Sequence, residues 1–370
     1  MSLKDIFCQD KAIAVLQEAH HAGKEAHAYI FAGPDGVGKL RTAREWAKML
    51  LCRQPLEADG FADSCGSCRS CQMLEADSHP DFNLVYKELL EFTKDNKDRK
   101  TPVDLAIDVI REFLVAKVSA RPSLSSRRVF IVSEAEKLNA SSQNALLKVL
   151  EEPPTYCSIL LVCTQLENLL PTTKSRCQIV RFAPVSEDRI IEKLNEMGIK
   201  DQQAKYLARL SQGSIGQACQ WGRLELNGAD IYEAKRQITK GLSDYKYADS
   251  LQMAENFLQT GKKIASVWAD LDRQTSKSDI NRRALKTLIM MLIAALHDAM
   301  ISRLKPKAEL VNFDQKDCID RMAGRLGVEP TAAKIAVCCE AMVKLDSNVN
   351  EKLICEQLLL NIANDGIIAC

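Results

Sequence analysis

Gly33 to Leu40 reads GPDGVGKL, and this run limits the possible folds more than any other part of the chain. It follows a short apolar run, Ala28 to Phe31, and precedes a helical pattern from about Lys39 to Leu51. Gly33, Gly38 and Lys39 satisfy the spacing G-x-x-x-x-G-K, with Gly36 between them. Glycines let successive backbone N–H groups curl round phosphate oxygens, and the helix N-terminus adds positive potential. A lysine in this place reaches the outer phosphates. The alternative is a glycine-rich turn that holds nothing. Two further runs, Arg128 to Val132 and Ser158 to Val162, lack polar alternation and so read as strands covered on both faces. Ser141 to Leu150 reads as a helix stopped by Pro153 and Pro154. Strand–helix–strand alternation predicts an α/β unit with a parallel sheet.

The loop lacks one part. After the lysine, the motif expects Ser or Thr, whose hydroxyl binds Mg²⁺. Here that residue is Leu40, and Thr42 falls elsewhere on the helix. The strand 128–132 is followed by Ser133, Glu134, Ala135 and Glu136. An NTPase of this type places an Asp there to hold Mg²⁺, often followed by a Glu that orients water. Glu134 fills the second position, but Ser133 stands where the Asp belongs. Two metal-handling positions are thus replaced, which argues against hydrolysis. Nucleotide binding as such stays open.

Cysteine usage gives a second signal. The chain has 14 cysteines, and its start, MSLKDIFCQD, does not read as a secretory signal. A cytosolic chain is expected, in which a disulfide framework is out of place. Cys52, Cys65, Cys68 and Cys71 match a closed four-thiolate structural Zn²⁺ site. Four unrelated buried cysteines, or an iron–sulfur cluster, are the competing readings. His79 follows in Asp77 to Asp81 and reads as a loop histidine with ordinary hydrogen bonds, with metal ligation as its alternative. The polar stretch Glu91 to Thr101 reads as an exposed surface loop.

From Ser186 onward the pattern is helical. Helices are expected over Glu187 to Met197, capped by Ser186 and ended by Gly198, and over Gln202 to Leu210; a third opens at Gly213 and Ser214. Arg283 to Leu304 is the most apolar of the later segments. Its longest apolar run, Leu288 to Leu296, is short of the ~20 residues that span a bilayer. Lys plus Arg total 50 against 49 Asp plus Glu, a net charge of +1, so bulk charge does not make this a nucleic-acid wrapper. Domains are expected at 1–184, with the cysteine module at about 52–71, then 185–230 and 231–370.

Taken in order, HAYIFAGPDGVGK (His27 to Lys39), the four cysteines, SHPDF (Ser78 to Phe82), NALLKVLEEPP (Asn144 to Pro154) and SRC (Ser175 to Cys177) resemble the subunits of the bacterial DNA polymerase III clamp loader, of the AAA+ class. The resemblance covers about Asp5 to Trp221. It implies an α/β AAA+ P-loop domain with a parallel sheet and an inserted four-cysteine zinc module, a small helical lid domain and an all-α C-terminal collar domain. The family's hydrolysing subunits keep Ser or Thr after the lysine, Asp-Glu after the second strand and an arginine in GSxR. This chain has Leu40, Ser133 and Gly216 at those places. It is thus similar to a non-hydrolysing subunit that retains zinc and SRC. From spacing alone Arg176 reads as a surface or salt-bridged arginine. The resemblance implies that it acts in trans, as an arginine finger on the ATP of a neighbouring subunit. Implied partners are gamma/tau-type ATPase and delta-type subunits in a pentameric ring, the sliding clamp, and primed DNA through the assembly, with no membrane. Such a chain has no ATPase of its own and is a non-catalytic part of a DNA polymerase holoenzyme. Two other readings stand beside it: an ATP-hydrolysing motor subunit of the same loader, and a zinc-containing DNA-binding protein, against which the near-neutral charge counts.

Overall fold

The computed structural model describes residues 2–58, 60–93, 104–272, 275–346 and 350–364. The stretch 94–101 of the expected polar loop lies outside them; of its first residues, Glu91 and Phe92 end a short 3-10 segment. The chain forms two compact units, Met1–Val185 and Ser186–Cys370.

The first unit is built on a five-stranded parallel sheet. Its strands are β1 (Ala28–Ala32), β4 (Phe82–Val85), β5 (Arg128–Val132), β6 (Cys157–Cys163) and β7 (Gln178–Arg181), in spatial order β4-β5-β6-β1-β7. In register, Tyr29 lies beside Leu160 and Gln178. Every residue of β1, β5 and β6 is buried. Successive side chains leave opposite faces, so each strand feeds two cores. Ile30, Phe130, Val132, Ile159 and Leu161 pack in one of them. Tyr29, Phe31, Val129, Ile131 and Leu160 pack in the other. Helices cover both faces, as parallel strands require. α1 (Asp10–His21) and α2 (Lys39–Leu51) supply Leu16, Trp46 and Leu51 to the second core.

Between α2 and β4 lies an insertion. A two-stranded hairpin, β2 (Leu56–Ala58) and β3 (Phe61–Asp63), is followed by α3 (Arg69–Glu75). Beyond β4, α4 (Ile107–Ile110), a π turn (Arg111–Val115) and α5 (Ala116–Val118) run without a break and carry Val109, Ile110 and Leu114 into the first core. α6 (Ala140–Glu151) starts at Asn139, whose side chain accepts from the N–H of Ser142. α7 (Pro171–Lys174) has Pro at its first position, where the missing N–H costs nothing. The three strands expected from apolar runs are present. The edge strands β4 and β7 are not signalled by such runs, because only one residue of each is fully buried.

The described residues of the second unit are helices and connections. α8 (Glu187–Glu196), α9 (Asp201–Leu210), α10 (Ile215–Leu226) and α11 (Ile231–Ser243) are followed by α12 (Ser250–Leu271), α13 (Lys277–Leu304), α14 (Lys316–Arg325), α15 (Val328–Leu345) and α16 (Glu351–Ala363). Ser186 occupies the N-cap position of α8, but its side chain makes no cap hydrogen bond, a correction to the expected cap; Gly198, at φ 99°, follows the helix as expected. Ser214 does cap α10, accepting from the N–H of Gln217. By length and composition α13 could cross a membrane. However, 67% of its most apolar window is buried. It packs against α11, α12, α14 and α15 with Leu288, Ile289, Leu292 and Leu296 facing inward. A helix apolar all round is a core helix in such a bundle.

Candidate functional site

The glycine loop turns directly out of β1. Gly33 carries no side chain because there is no room for one: a Cβ there would lie 2.4 Å from the carbonyl oxygen of Phe182. Gly36 and Gly38 have φ values of 69° and 102°, where only glycine is free of strain. Gln9, which sequence reasoning passed over, ties the loop down. Its Nε2 donates to the carbonyls of Val37 (3.2 Å) and Ala183 (2.9 Å).

Lys39 opens α2 and is 5% exposed. Its Nζ donates to the carbonyl of Pro34 at 2.5 Å, within its own loop. Burial lowers its pKa, against the pull of Asp35, Glu136 and Cys163. Leu40 is exposed at the loop. The Thr42 hydroxyl donates to the carbonyl of Gly38 at 3.0 Å and is fully buried, so it offers nothing to a metal at the loop mouth. Past β5, Glu134 stands at φ 51°. Its carboxylate pairs with Lys137 (2.5 Å) and Lys87 (3.5 Å). The acid that faces across to the end of β6 is instead Glu136, which accepts from the hydroxyl (2.6 Å) and N–H (3.2 Å) of Thr164. Position in the motif singled out Glu134 of these two glutamates, which lie two residues apart, whereas Glu136 is the one bonded to Thr164.

Arg176 lies just beyond α7, with its side chain one-third exposed. Its guanidinium pairs with Glu151, the last residue of α6, at 2.7 Å, and donates to the carbonyl of Thr172 at 2.9 Å. Spacing alone pointed to a salt-bridged arginine, and Glu151 is its partner.

The four cysteines converge. Cys52 closes the C-terminus of α2, Cys65 and Cys68 lie between the hairpin and α3, and Cys71 sits in the first turn of α3. The four Sγ atoms all lie within 4.8 Å of one another. Cys52 is 3.5 Å from Cys65 and 3.9 Å from Cys68, too far for disulfides. Sulfurs placed tetrahedrally at about 2.3 Å from a common centre stand roughly 3.8 Å apart, so the donor set fits a metal of zinc's size. The N–H of Cys65 donates to Cys52 Sγ (3.4 Å), and that of Cys68 to Cys65 Sγ (3.3 Å). Although burial opposes it, the N–H groups of Cys68 and Ser67 bring the Cys65 thiol down to about 6. Burial pushes the Cys71 thiol up, and the N–H of Gly66 opposes it only in part. The group could therefore hold a metal ion, and with four protein ligands it leaves no open position for catalysis. His79 is not in it; its ring bonds to Ser70 and Ser125.

A parallel sheet covered on both faces, a glycine loop before α2, a four-cysteine insertion and an all-helical second unit define an AAA+-like subunit of the clamp-loader type. Two family models agree: one described as DNA polymerase III, delta subunit, matches residues 8–186, and one described as DNA polymerase III, delta subunit, C terminal, matches residues 275–364. DNA polymerase III subunit delta' of Pseudomonas aeruginosa is 33% identical over 219 residues, 59% of this chain and 61% of the relative's own length. The subunit of the same name from Bacillus subtilis is 26% identical over 95% of both chains. DNA polymerase III subunit tau of Bacillus subtilis is 27% identical over 72% of this chain and 48% of its own length. The chain belongs to the DNA polymerase III delta-prime family of clamp-loader subunits.

Proposed function

We propose that this chain is a non-hydrolysing member of the clamp loader, which serves the hydrolysis of a neighbouring subunit through Arg176. The observation that carries the reading is the state of its own glycine loop. Lys39 is satisfied by the Pro34 carbonyl, no hydroxyl follows it, and Glu134 is held by two lysines. A phosphate-bearing Mg²⁺ thus meets Leu40 in place of a hydroxyl and Ser133 in place of a carboxylate, groups that hold the ion not at all or poorly. The Arg176–Glu151 pair is half in solvent, and such pairs are worth only about 0–1 kcal/mol. A neighbour's γ-phosphate, more highly charged and bidentate, can take the guanidinium from Glu151 at small cost. The degenerate loop at Gly33, Gly36, Gly38 and Lys39 then serves as a structural turn.

In this reading residues 1–184 act as the AAA+ module, 185–230 as the lid and 231–370 as the collar, in a cytoplasmic pentameric ring with gamma/tau-type and delta-type subunits that opens the sliding clamp on primed DNA. The four cysteines hold structural Zn²⁺. The similarity to tau favours a second reading, in which the chain is itself a motor. ATP turnover by the purified chain, alone and mixed with tau-type and delta-type subunits, separates the two. The first reading expects no turnover alone and stimulation in the mixture that Arg176→Ala lowers. Turnover by the chain alone that Lys39→Ala abolishes would establish the second.

A further inference from the structure

SHPDF is left over from the cysteine and loop motifs, and two of its three polar residues are among the most deeply buried in the first unit: His79 is 4% exposed and Asp81 not at all. The N–H of Asp81 donates to His79 Nδ1 at 3.1 Å. That assignment leaves the ring proton on Nε2. Nε2–H therefore donates to the Ser70 hydroxyl at 2.8 Å and, more weakly, faces that of Ser125 at 3.3 Å. Both serine hydroxyls in turn donate to the carbonyl of Leu51, at 2.6 and 2.9 Å. Every proton in the network thus has a defined direction.

Its end points are the neighbours of two metal-binding cysteines. The carbonyl of Leu51 belongs to the same planar peptide as the nitrogen of Cys52, and it is one of the carbonyls that the end of α2 leaves unpaired. Ser70 directly precedes Cys71. Fixing Leu51 to Ser70 fixes the C-terminus of α2 against the start of α3, and so Cys52 against Cys71. His79 orients the hydroxyl that makes this link. Asp81 accepts from the N–H groups of Ser123, Leu124 and Ser125 at 2.7, 2.7 and 2.9 Å, which places Ser125 and anchors the whole arrangement beside β5.

We propose that His79, acting through Ser70 and Ser125, is a positioning residue for the four-cysteine centre: it sets the separation of Cys52 and Cys71 and thereby how firmly the metal is held. The proposal rests on the reading of the thiols as a zinc site. Residues that orient metal ligands from outside the coordination sphere are worth about 10–100-fold in metal affinity.

The test uses the full-length chain. Zinc content is measured first, then the rate of zinc transfer to a chromogenic chelator in excess. Wild type is expected to carry about one zinc per chain. His79→Ala and Ser70→Ala should release it about tenfold faster, and His79→Gln, whose amide restores a donor near Nε2, should recover part of the difference. Ser142→Ala is the control, because it removes another buried hydroxyl bond, to Leu105, from a helix that carries none of the four cysteines; its release should match wild type. Should His79→Ala fail to fold, Ser70→Ala and Ser125→Ala carry the comparison. Wild type without metal would sink the zinc reading itself. Wild type with metal, and variants that release it no faster, would overturn the brace alone. Equal acceleration by Ser142→Ala would also overturn it, as loss of general stability.

Discussion

Gly33 is a glycine because of its neighbour, not its torsion. The atom that a Cβ would strike is a backbone oxygen of Phe182, which cannot rotate away as a side chain would. Gly33→Ala must therefore push β7's continuation from β1, and overpacking of this kind costs about 1–3 kcal/mol; urea unfolding of the full chain should show that loss. Asp81 offers a different kind of test. Burial alone would raise its pKa, yet three N–H donors and Arg128 overcome burial and hold the carboxyl below its ordinary range. Because the folded value lies below the unfolded one, the stabilisation is complete above about pH 4 and is lost as pH falls through the folded value. Asp81→Asn should cost about 3 kcal/mol near neutrality, because it also leaves Arg128 without its carboxylate. The gap to wild type should close in acid. A gap that stays constant from neutral pH to about pH 3 would show that the carboxylate is not the stabilising form.

At the level of elements, α6 depends on a single cap. Asn139 Oδ1 accepts from the N–H of Ser142, so Asn139→Ala should destabilise the unit by about 1 kcal/mol in chemical denaturation. What could be read from sequence follows from how elements are buried. β1, β5 and β6 announce themselves as apolar runs because both faces are covered. β4 and β7 sit at the edges, four residues each, and half-exposed side chains give no such signal. α2 and α6 were legible from their flanking Gly38 and Pro153, whereas the π turn at Arg111–Val115 breaks helical periodicity and hid the helix around it. The same division holds in the site. Loop and cysteine spacings are local, so the chain itself displays them. The partners of His79 and Asp81 come from residues 70 and 123–128, and no local pattern links positions that folding alone brings together.

For the whole molecule the question is which residues act within the chain and which act beyond it. Lys39 and Arg176 are both cations in family motifs, but their surroundings differ. Lys39 is buried and satisfied by its own loop. Arg176 is part-exposed, and its one acidic partner among the described residues, Glu151, is a surface carboxylate that a phosphate can displace. In a reconstituted loader, the proposed reading, in which this loop handles no reacting phosphate, expects Lys39→Ala to leave ATP turnover within about twofold of wild type. Arg176→Lys should behave like Arg176→Ala despite keeping the charge, because an ammonium cannot reproduce the planar two-pronged contact with phosphate oxygens. An arginine finger is worth about 10³–10⁵ at the site it faces, so either change should silence that one site and leave the others to set the residual rate. Glu151→Gln frees the guanidinium without removing it. If the pair with Glu151 merely parks the arginine, turnover in this variant should hold or rise; a fall as deep as that of Arg176→Ala would mean that Glu151 aims the arginine instead. Loss of turnover with Lys39→Ala and none with Arg176→Lys would reverse the assignment and make the chain's own loop the working site.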